Sequence, residues 1–313
     1  MQTMGNQAGQ GNLSQIEQYF TALFRVDELE TDLAFSRFVP MVYDPVGFPW
    51  RDVFEPGFVR RFNGLMIRGR EHVGKIWCIA FPAEEVLDRI VARAQTGDII
   101  FSHHPIDMKC GDPRGAPGQG FIPIPPARIA ALKDAGFSFY SCHVPLDSHP
   151  ELSTSDAIVR AIGGRIVEQF YPYGNGYAGR LCEIPPTRLD DLVATCQRAL
   201  SLPYVDRQGN TGRDDITRVA VIAGGGGSVD FYKEADRLGA DCLLAGEVTS
   251  KIDNDYGRSQ QAEIARYLPT TDLVAIGLSH AGSEFFVMRE LAPYFEHEFG
   301  VPAEVVPESR WWR

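Results

Sequence analysis

The sequence contains no uninterrupted run of about 18–20 apolar residues, the length that a membrane-spanning helix requires. Residues 1–12, MQTMGNQAGQGN, lack the charged start and apolar stretch of a secretory signal, and we expect them to form a flexible tail. The six cysteines include no CxxC pair, which excludes zinc-finger and thioredoxin-type motifs. Unpaired thiols are typical of the reducing cytoplasm, where we expect this protein to be.

Positive charge is also scarce in this chain. Its 313 residues include 30 Lys and Arg against 41 Asp and Glu, which gives a formal net charge of −11. Proteins that bind nucleic acid or anionic lipid need a basic surface to replace counterions. We therefore expect neither a nucleic acid nor a membrane as a partner. A local pocket for an anionic small molecule stays compatible with this charge.

Short apolar runs alternate with helical patterns along most of the chain, which is long enough for two domains. The alternation predicts an α/β (α+β) protein with mixed sheets, in two lobes at 13–163 and 164–313. The predicted elements that bear on function are strands at 75–81, 98–102, 137–142 and 272–278, a helix at 15–24 capped by Ser14, a Gly/Pro-rich loop from Cys110 to Pro126, and a helix from near Gly282 to Phe299.

Histidines follow the predicted strands at positions where ligands bind in open α/β sheets. His103 and His104 come directly after the strand at 98–102. Neighbouring side chains on an extended segment point in opposite directions, so this pair is better placed to reach two ions, or one ion and a neighbouring group, than to chelate one. The alternative is a pair of surface histidines in a loop.

His280 and Glu284 follow the strand at 272–278 with a spacing of four. If a helix begins here, both side chains lie on one helical face about one turn apart, which is the device that lets two residues share a metal ion. The alternative is a capping carboxylate beside an incidental histidine.

His143 and Asp147 follow the strand at 137–142, within the segment HVPLDSHPE. Pro145 and Pro150 exclude a continuous helix, so we expect an ordered turn that aims Asp147 at the same crevice. The alternative is an ordinary turn that begins at Asp147, in which the carboxylate has no binding role.

Together these strand ends supply a mixed nitrogen and oxygen ligand set without a thiolate. Such a set suits Zn, Fe, Mn, Co or Ni rather than Ca. Carboxylates can bridge two ions about 3.5–4 Å apart, and such pairs activate water for hydrolysis.

Two further segments are ambiguous. Gly224–Gly227 lies between a strand and a helix and could cradle a phosphate, but it lacks the GxxxxGK[ST] form, and a tight turn is the better interpretation. Glu247 follows the strand CLLAG and adds an acid near the same crevice. Trp311 and Trp312, close to the C-terminus, suit either an interface or a packed tail.

From about Asn63 to Val301 the chain resembles the Nif-three-like family of dinuclear-metal proteins, often labelled GTP cyclohydrolase type-two homologues, and especially its short bacterial branch. The motifs that carry the resemblance are FNGL at 62–65, DIIFSHHPI at 98–106, HVPLDSHPEL at 143–152, AGEV at 245–248 and HAGSE at 280–284. Ser279 departs from the glycine that the family usually has at this position.

The resemblance implies two divalent metal ions per chain, of unknown identity. It also implies two related α/β lobes with the metal site in the cleft between them, and a ring-shaped homohexamer. His143 would support a ligand or face the substrate. The implied metal ligands are His103, His104, Asp147, His280 and Glu284.

These observations favour a metal-dependent hydrolase, cyclohydrolase-like, that acts on a small nucleotide-like or phosphate-bearing substrate. His143 or Glu247 would carry the proton. The alternative is a non-catalytic metal-binding or metal-delivery scaffold that acts as an oligomeric ring. A nucleic-acid-processing role conflicts with the net charge.

Overall fold

A computed structural model of the chain describes residues 11–225 and 227–312. Of the predicted tail, only Gly11 and Asn12 belong to this part. Among the described residues, no helix combines the length and the apolar character that crossing a bilayer demands.

Helices form where apolar side chains recur at helical spacing. In chain order they are α1 Leu13–Leu23, α2 Phe35–Tyr43, α3 Trp50–Val53, α4 Pro56–Arg61, α5 Glu84–Val91, α6 Pro126–Asp134, α7 Val144–Asp147, α8 Thr154–Ala161, α9 Leu189–Leu200, α10 Val229–Arg237, α11 Asp255–Tyr267, α12 His280–Phe285 and α13 Met288–Phe299.

Strands form mainly from the short apolar runs between these helices. In chain order they are β1 Gly64–Ile67, β2 Ile76–Ile79, β3 Ile99–Ser102, β4 Asp107–Gly111, β5 Pro117–Ile122, β6 Ser138–Ser141, β7 Arg165–Tyr173, β8 Gly176–Thr187, β9 Asp206–Gly209, β10 Ile216–Ile222, β11 Cys242–Ala245, β12 Val274–Gly277 and β13 Ala303–Val305.

The chain forms two compact units that are not continuous in sequence. Unit 1 comprises residues 11–107, 123–145 and 288–307, and unit 2 comprises 108–122, 146–225 and 227–287, and 308–312. The division of the chain into 13–163 and 164–313 stays a prediction.

Unit 1 contains a five-stranded mixed sheet in the order β1-β6-β3-β2-β13. Strands β6, β3, β2 and β13 run parallel, and β1 is antiparallel to β6. An aromatic core covers the sheet: the ring centroid of Phe20 lies 5.0 Å from that of Phe101 on β3 and 4.7 Å from that of Phe295 on α13.

Unit 2 contains a six-stranded mixed sheet in the order β7-β8-β10-β11-β12-β9. Its central strands β10, β11 and β12 run parallel, and the outer strands pair antiparallel. Alternate residues of β10 face different apolar cores, with Val219 and Val221 in one and Ala220 and Ile222 in the other. The predicted α/β architecture with mixed sheets is thus confirmed.

The structure corrects three local predictions. Asn12, not Ser14, caps α1, because its side chain accepts the Gln15 amide at 2.9 Å. The predicted loop from Cys110 to Pro126 contains the last two residues of β4 and all of β5, and the two strands form a two-stranded sheet. The helix expected from Gly282 to Phe299 is two helices, α12 and α13, and the chain passes from unit 2 to unit 1 between them.

Candidate metal centre

Three histidines of unit 1 lie together at one edge of its sheet. Strands β3 and β6 are parallel neighbours with Ser102 opposite Ser141, so the residues that follow them emerge side by side. The ring centroids of His103 and His104 are 4.9 Å apart, and each lies 5.0 Å from that of His143. All three are buried, and one ring nitrogen of each lies within 4.8 Å of the others.

The backbone and nearby aromatic rings fix this histidine triad. The amide of His103 donates to the Ile79 carbonyl at 3.0 Å, and that of His104 to Ala80 at 2.9 Å. His103 Nδ1 lies 2.8 Å from the Cys142 carbonyl oxygen, which can only accept, so Nδ1 carries the proton. Nε2 of the neutral ring is then the nitrogen that could bind a metal ion, with the ring oriented as ligating histidines are by their second hydrogen bond.

Asp32 holds His143 in a contact that no sequence pattern predicted. Asp32 Oδ2 lies 2.7 Å from His143 Nδ1, and the Asn63 side chain accepts the His143 amide at 2.6 Å. Burial alone would raise the pKa of Asp32, but His143 and hydrogen bonds from Phe35 and Asn63 bring it below its usual value. The buried carboxylate therefore stays charged and orients the imidazole.

In unit 2, the parallel strands β10, β11 and β12 bring a second group of donors to one edge. Ile222, Ala245 and Gly277 lie in register across these strands, so Glu247 and His280 follow at the same level. His280 Nδ1 lies 3.1 Å from Glu247 Oε2, and its Nε2 lies 3.1 Å from Glu284 Oε1. Both His280 and Glu284 belong to α12, as their spacing predicted.

This environment favours positive charge. Burial lowers the pKa of His280, but the Glu284 carboxylate, Cys110 and Glu247 raise it, and the net result is a pKa well above the usual histidine value. Two buried carboxylates around one imidazole attract a cation, whether it is a proton or a metal ion.

The glycine run packs against these donors. A Cβ on Gly224 would lie 2.1 Å from Glu284 Oε1, and a Cβ on Gly225 would lie 2.4 Å from His280 Cε1. The Gly224 amide donates to Ser283 Oγ at 2.9 Å. The turn interpretation of this run is therefore supported at Gly224 and Gly225, where the absence of side chains admits the donors, while Gly226 lies outside the described residues.

Ser279, next to His280, has a backbone conformation that favours glycine, with φ +64° and ψ 137°. Its hydroxyl accepts the Gly282 amide at 3.2 Å, which caps α12, and donates to the Trp311 carbonyl. The indole nitrogens of Trp311 and Trp312 donate to the carbonyls of Ser201 and Tyr204, each at 3.1 Å. The two tryptophans thus form a packed tail on unit 2.

Asp147 ends the short helix α7, where a turn was expected, and it is buried. Thr154 Oγ1 donates to Asp147 Oδ1 at 2.7 Å. Thr154 is held in turn by the N-terminus of α8, where Ser153 and Asp156 form a capping box. The fully buried Arg180 makes a bidentate pair with Asp156 at 2.7 and 3.1 Å. This pair stabilises the capping box, and through Thr154 it helps to fix the Asp147 carboxylate.

Cys110 is the donor that the sequence reasoning missed. It lies on β4, and its sulfur, a Glu247 oxygen and a His280 nitrogen lie within 4.8 Å of one another. The chain around it was predicted as a loop because Gly and Pro interrupt every apolar run there. An alternating apolar pattern around Cys110 would have predicted a strand with every second side chain on one face, and so a buried thiol.

Within each unit, then, the structure brings predicted site residues together: His103, His104 and His143 in unit 1, and Glu247, His280 and Glu284 in unit 2. Imidazoles and carboxylates that are buried beside each other fit a divalent transition metal. Their roles as ligands or proton carriers stay predictions.

A family model described as Duf34/NIF3 (NGG1p interacting factor 3) matches residues 61–309. The chain belongs to this family. A relative in Pyrococcus horikoshii, named GTP cyclohydrolase 1 type 2 homolog, is 28% identical over 244 residues, 76% of this chain and 86% of that protein. A relative of the same name in Deinococcus radiodurans is 29% identical over 250 residues, 77% and 82% of the two chains.

A solved structure has the same overall fold. The protein ybgI, described as of unknown function, superposes with a TM-score of 0.67 at 20% identity, over 96% of this chain and 99% of that one. At that identity the likeness concerns the fold alone. The family that the sequence motifs indicated is confirmed.

Proposed function

We propose that this DUF34/NIF3 protein binds two divalent metal ions per chain and uses them to hydrolyse a small substrate. The observation that carries the proposal is the burial of His103, His104, His280 and Glu284, which are at most 5% exposed, among other donors. Buried ionisable groups persist when they are paired or coordinate a metal. Together with Asp147, these are the ligands that the family resemblance implies.

Bound divalent ions would lower the pKa of water and so supply a nucleophile near neutral pH. The chain's own residues would then handle the proton. His143 accepts it on Nε2, because Asp32 holds Nδ1 and stabilises the charged ring that results. Glu247, 3.1 Å from His280, is the second candidate for this role.

The substrate that we propose is nucleotide-like or otherwise phosphate-bearing. The name shared by the relatives, GTP cyclohydrolase 1 type 2 homolog, supports a nucleotide-like compound. The glycine run gives no support for a phosphate-bearing substrate, because its backbone at Gly224 and Gly225 packs against Glu284 and His280.

A second candidate is a protein that holds or delivers metal without turnover. The burial of the donors favours it, because a substrate needs access that a metal ion does not. It predicts exchangeable metal and no product from a broad panel of nucleotides and phosphate esters. Steady turnover of one compound, lost with the metal, would exclude it.

Elemental mass spectrometry on the purified, untagged protein tests metal binding. We expect two ions per chain in the wild type and a loss in His103→Ala and in Glu284→Ala. The matched controls are His297→Ala, an exposed histidine on α13, and Glu168→Ala, an exposed acid on β7, which should keep the metal. A wild-type protein that stays metal-free after reconstitution with Zn, Mn and Fe contradicts the proposal.

We also propose a ring-shaped homohexamer in the cytoplasm. The family resemblance supports the ring, and six buried cysteines that form no disulfide support a reducing compartment. Leu33, Met41 and Val46 are 82%, 49% and 57% exposed and are candidates for an interface. Native mass spectrometry of the wild type and of Leu33→Glu tests the assembly, and a monomeric wild type contradicts it.

A further inference from the structure

We propose that Cys110 is a thiolate ligand of a divalent metal ion that it shares with Glu247 and His280. This inference rests on the proposed metal binding and adds a sulfur donor to it; it makes Glu247 a ligand and leaves His143 as the proton carrier. Neither the motifs nor the residues that the family resemblance implies include a cysteine.

The geometry of the cluster carries the inference. The sulfur of Cys110, a carboxylate oxygen of Glu247 and a ring nitrogen of His280 all lie within 4.8 Å of one another. A tetrahedral ion with bonds of about 2.0–2.3 Å separates its ligand atoms by about 3.3–3.8 Å. A modest contraction of the cluster would bring all three atoms within bonding distance of one ion.

The surroundings of Cys110 differ from those of the other unit 2 cysteines. Cys182, Cys196 and Cys242 lie in an apolar core with aliphatic neighbours. Cys110 is also buried, but its sulfur is hydrogen-bonded to His280 and lies near the carboxylates of Glu247 and Glu308. A core cysteine needs no such partners, whereas a ligand does.

The strand that carries Cys110 is fixed to the rest of unit 2. The Gly118 amide on β5 donates to the Lys251 carbonyl at 2.9 Å. The Tyr204 hydroxyl donates to Asp112 Oδ1 at 2.6 Å, and the guanidinium of Arg114 lies 3.9 Å from the Tyr204 ring centroid. These contacts of Asp112, Arg114 and Gly118, which follow Cys110 in the chain, fix the strand pair that carries its sulfur, as a ligand must be held.

Burial raises the pKa of the Cys110 thiol to about 12, so a metal ion has to displace its proton. Binding breaks the S–H bond, forms a metal–sulfur bond and releases one proton to the solvent, and no electron is transferred. A thiolate ligand favours Zn, Co or Fe(II) over Mn or Mg, so Cys110 would give this site a preference that an all-nitrogen and oxygen set lacks.

X-ray absorption at the zinc edge tests the inference on the reconstituted full-length protein. We expect a sulfur shell near 2.3 Å in the wild type. The shell should disappear in Cys110→Ser and Cys110→Ala and persist in Cys196→Ala, which removes a buried thiol of unit 2 outside the cluster. Elemental analysis of the same samples reports the bound zinc.

Each outcome decides a different point. Zinc bound to the wild type without a sulfur shell overturns the thiolate ligand and leaves the proposed function standing, whether or not the variants fold. A sulfur shell that persists in Cys110→Ser assigns the sulfur to another residue and also overturns it. No zinc in the wild type overturns the thiolate site, and a wild type that also stays free of Mn and Fe contradicts the proposed function itself.

Discussion

Gly225 leaves no space for a side chain beside His280, since a Cβ on Gly225 would lie 2.4 Å from the ring carbon Cε1. Real Cβ atoms do not approach a ring this closely, so either the imidazole or the backbone of the turn has to move. The glycine is therefore part of what positions His280 between Glu247 and Glu284.

We predict that Gly225→Ala weakens metal binding by about 10–100-fold, the range typical of changes that disorient a ligating histidine. Competition with a chromogenic zinc chelator measures the affinity. Gly212→Ala is the matched control, because a Cβ there meets only Asn210 Oδ1, at 3.6 Å. Equal zinc affinity in the two variants would show that His280 does not depend on this contact.

Ser279 allows a second prediction, in which glycine is better tolerated than alanine. Both substitutions remove the hydrogen bonds to Gly282 and Trp311, but alanine keeps the strain of a positive φ, which costs about 1–3 kcal/mol. We expect the free energy of unfolding to decrease in the order wild type, Ser279→Gly, Ser279→Ala. Urea titration monitored by tryptophan fluorescence measures it, and the reverse order of the two variants contradicts the strain.

Arg180 and Asp156 form a fully buried ion pair in unit 2, and Asp156 belongs to the capping box beside Thr154. Removing the guanidinium leaves the carboxylate charged and uncompensated, so we predict that Arg180→Met costs about 3–5 kcal/mol of stability. Arg188→Gln is the control, because its pair with Asp214 is 3.4 Å long and both side chains are mostly exposed. Such a change costs about 0.5 kcal/mol or less. Similar losses in both variants would refute the role of burial.

The lowered pKa of Asp241 should make the free energy of unfolding depend on pH. Burial raises the pKa of its carboxyl, but amide hydrogen bonds from Thr217 and Arg218, and then Arg213, bring it below its usual value. The stability that it contributes is present above the ordinary aspartate range and is lost as the pH falls through the lowered pKa. We therefore expect Asp241→Asn to lower stability at pH 7 by about 1–3 kcal/mol and to flatten the acid limb of the curve.

Unfolding free energies of wild type and Asp241→Asn between neutral and acid pH measure this effect. Asp215→Asn, at a highly exposed acid nearby, is the control. Parallel pH curves for wild type and Asp241→Asn would contradict it.

The strand ends that carry the candidate ligands could be predicted from the sequence. The residues that hold those ligands in place could not. Strands such as Ile99–Ser102 and Ser138–Ser141 are short apolar runs, so the histidines after them could be located from the sequence. Asp32 is 111 positions from His143, and no local pattern connects them. Their contact depends on how α2 packs, which is tertiary information.

The prediction of a loop in the segment from Asp107 to Ile122 was wrong for a different reason. Gly111 and Gly120 have positive φ values within these strands or at their ends, and glycine in a sequence usually indicates a loop. The strands there are stabilised by contacts with Lys251 and Tyr204 rather than by apolar alternation. The sequence pattern therefore does not identify Cys110 as a donor, because it does not predict the strand that carries it.

The return of residues 288–307 to unit 1 has a consequence for biosynthesis. Strand β13 completes the sheet beside β2, yet it is translated after every strand of unit 2. At about 5–20 residues per second, a ribosome needs about 10–45 s to proceed from Ile79 to Ala303. During that interval β2 is an open edge that can pair with another chain. The unit that begins synthesis first is thus the one whose sheet is completed last, and a nonsense mutation anywhere before Ala303 leaves both units incomplete.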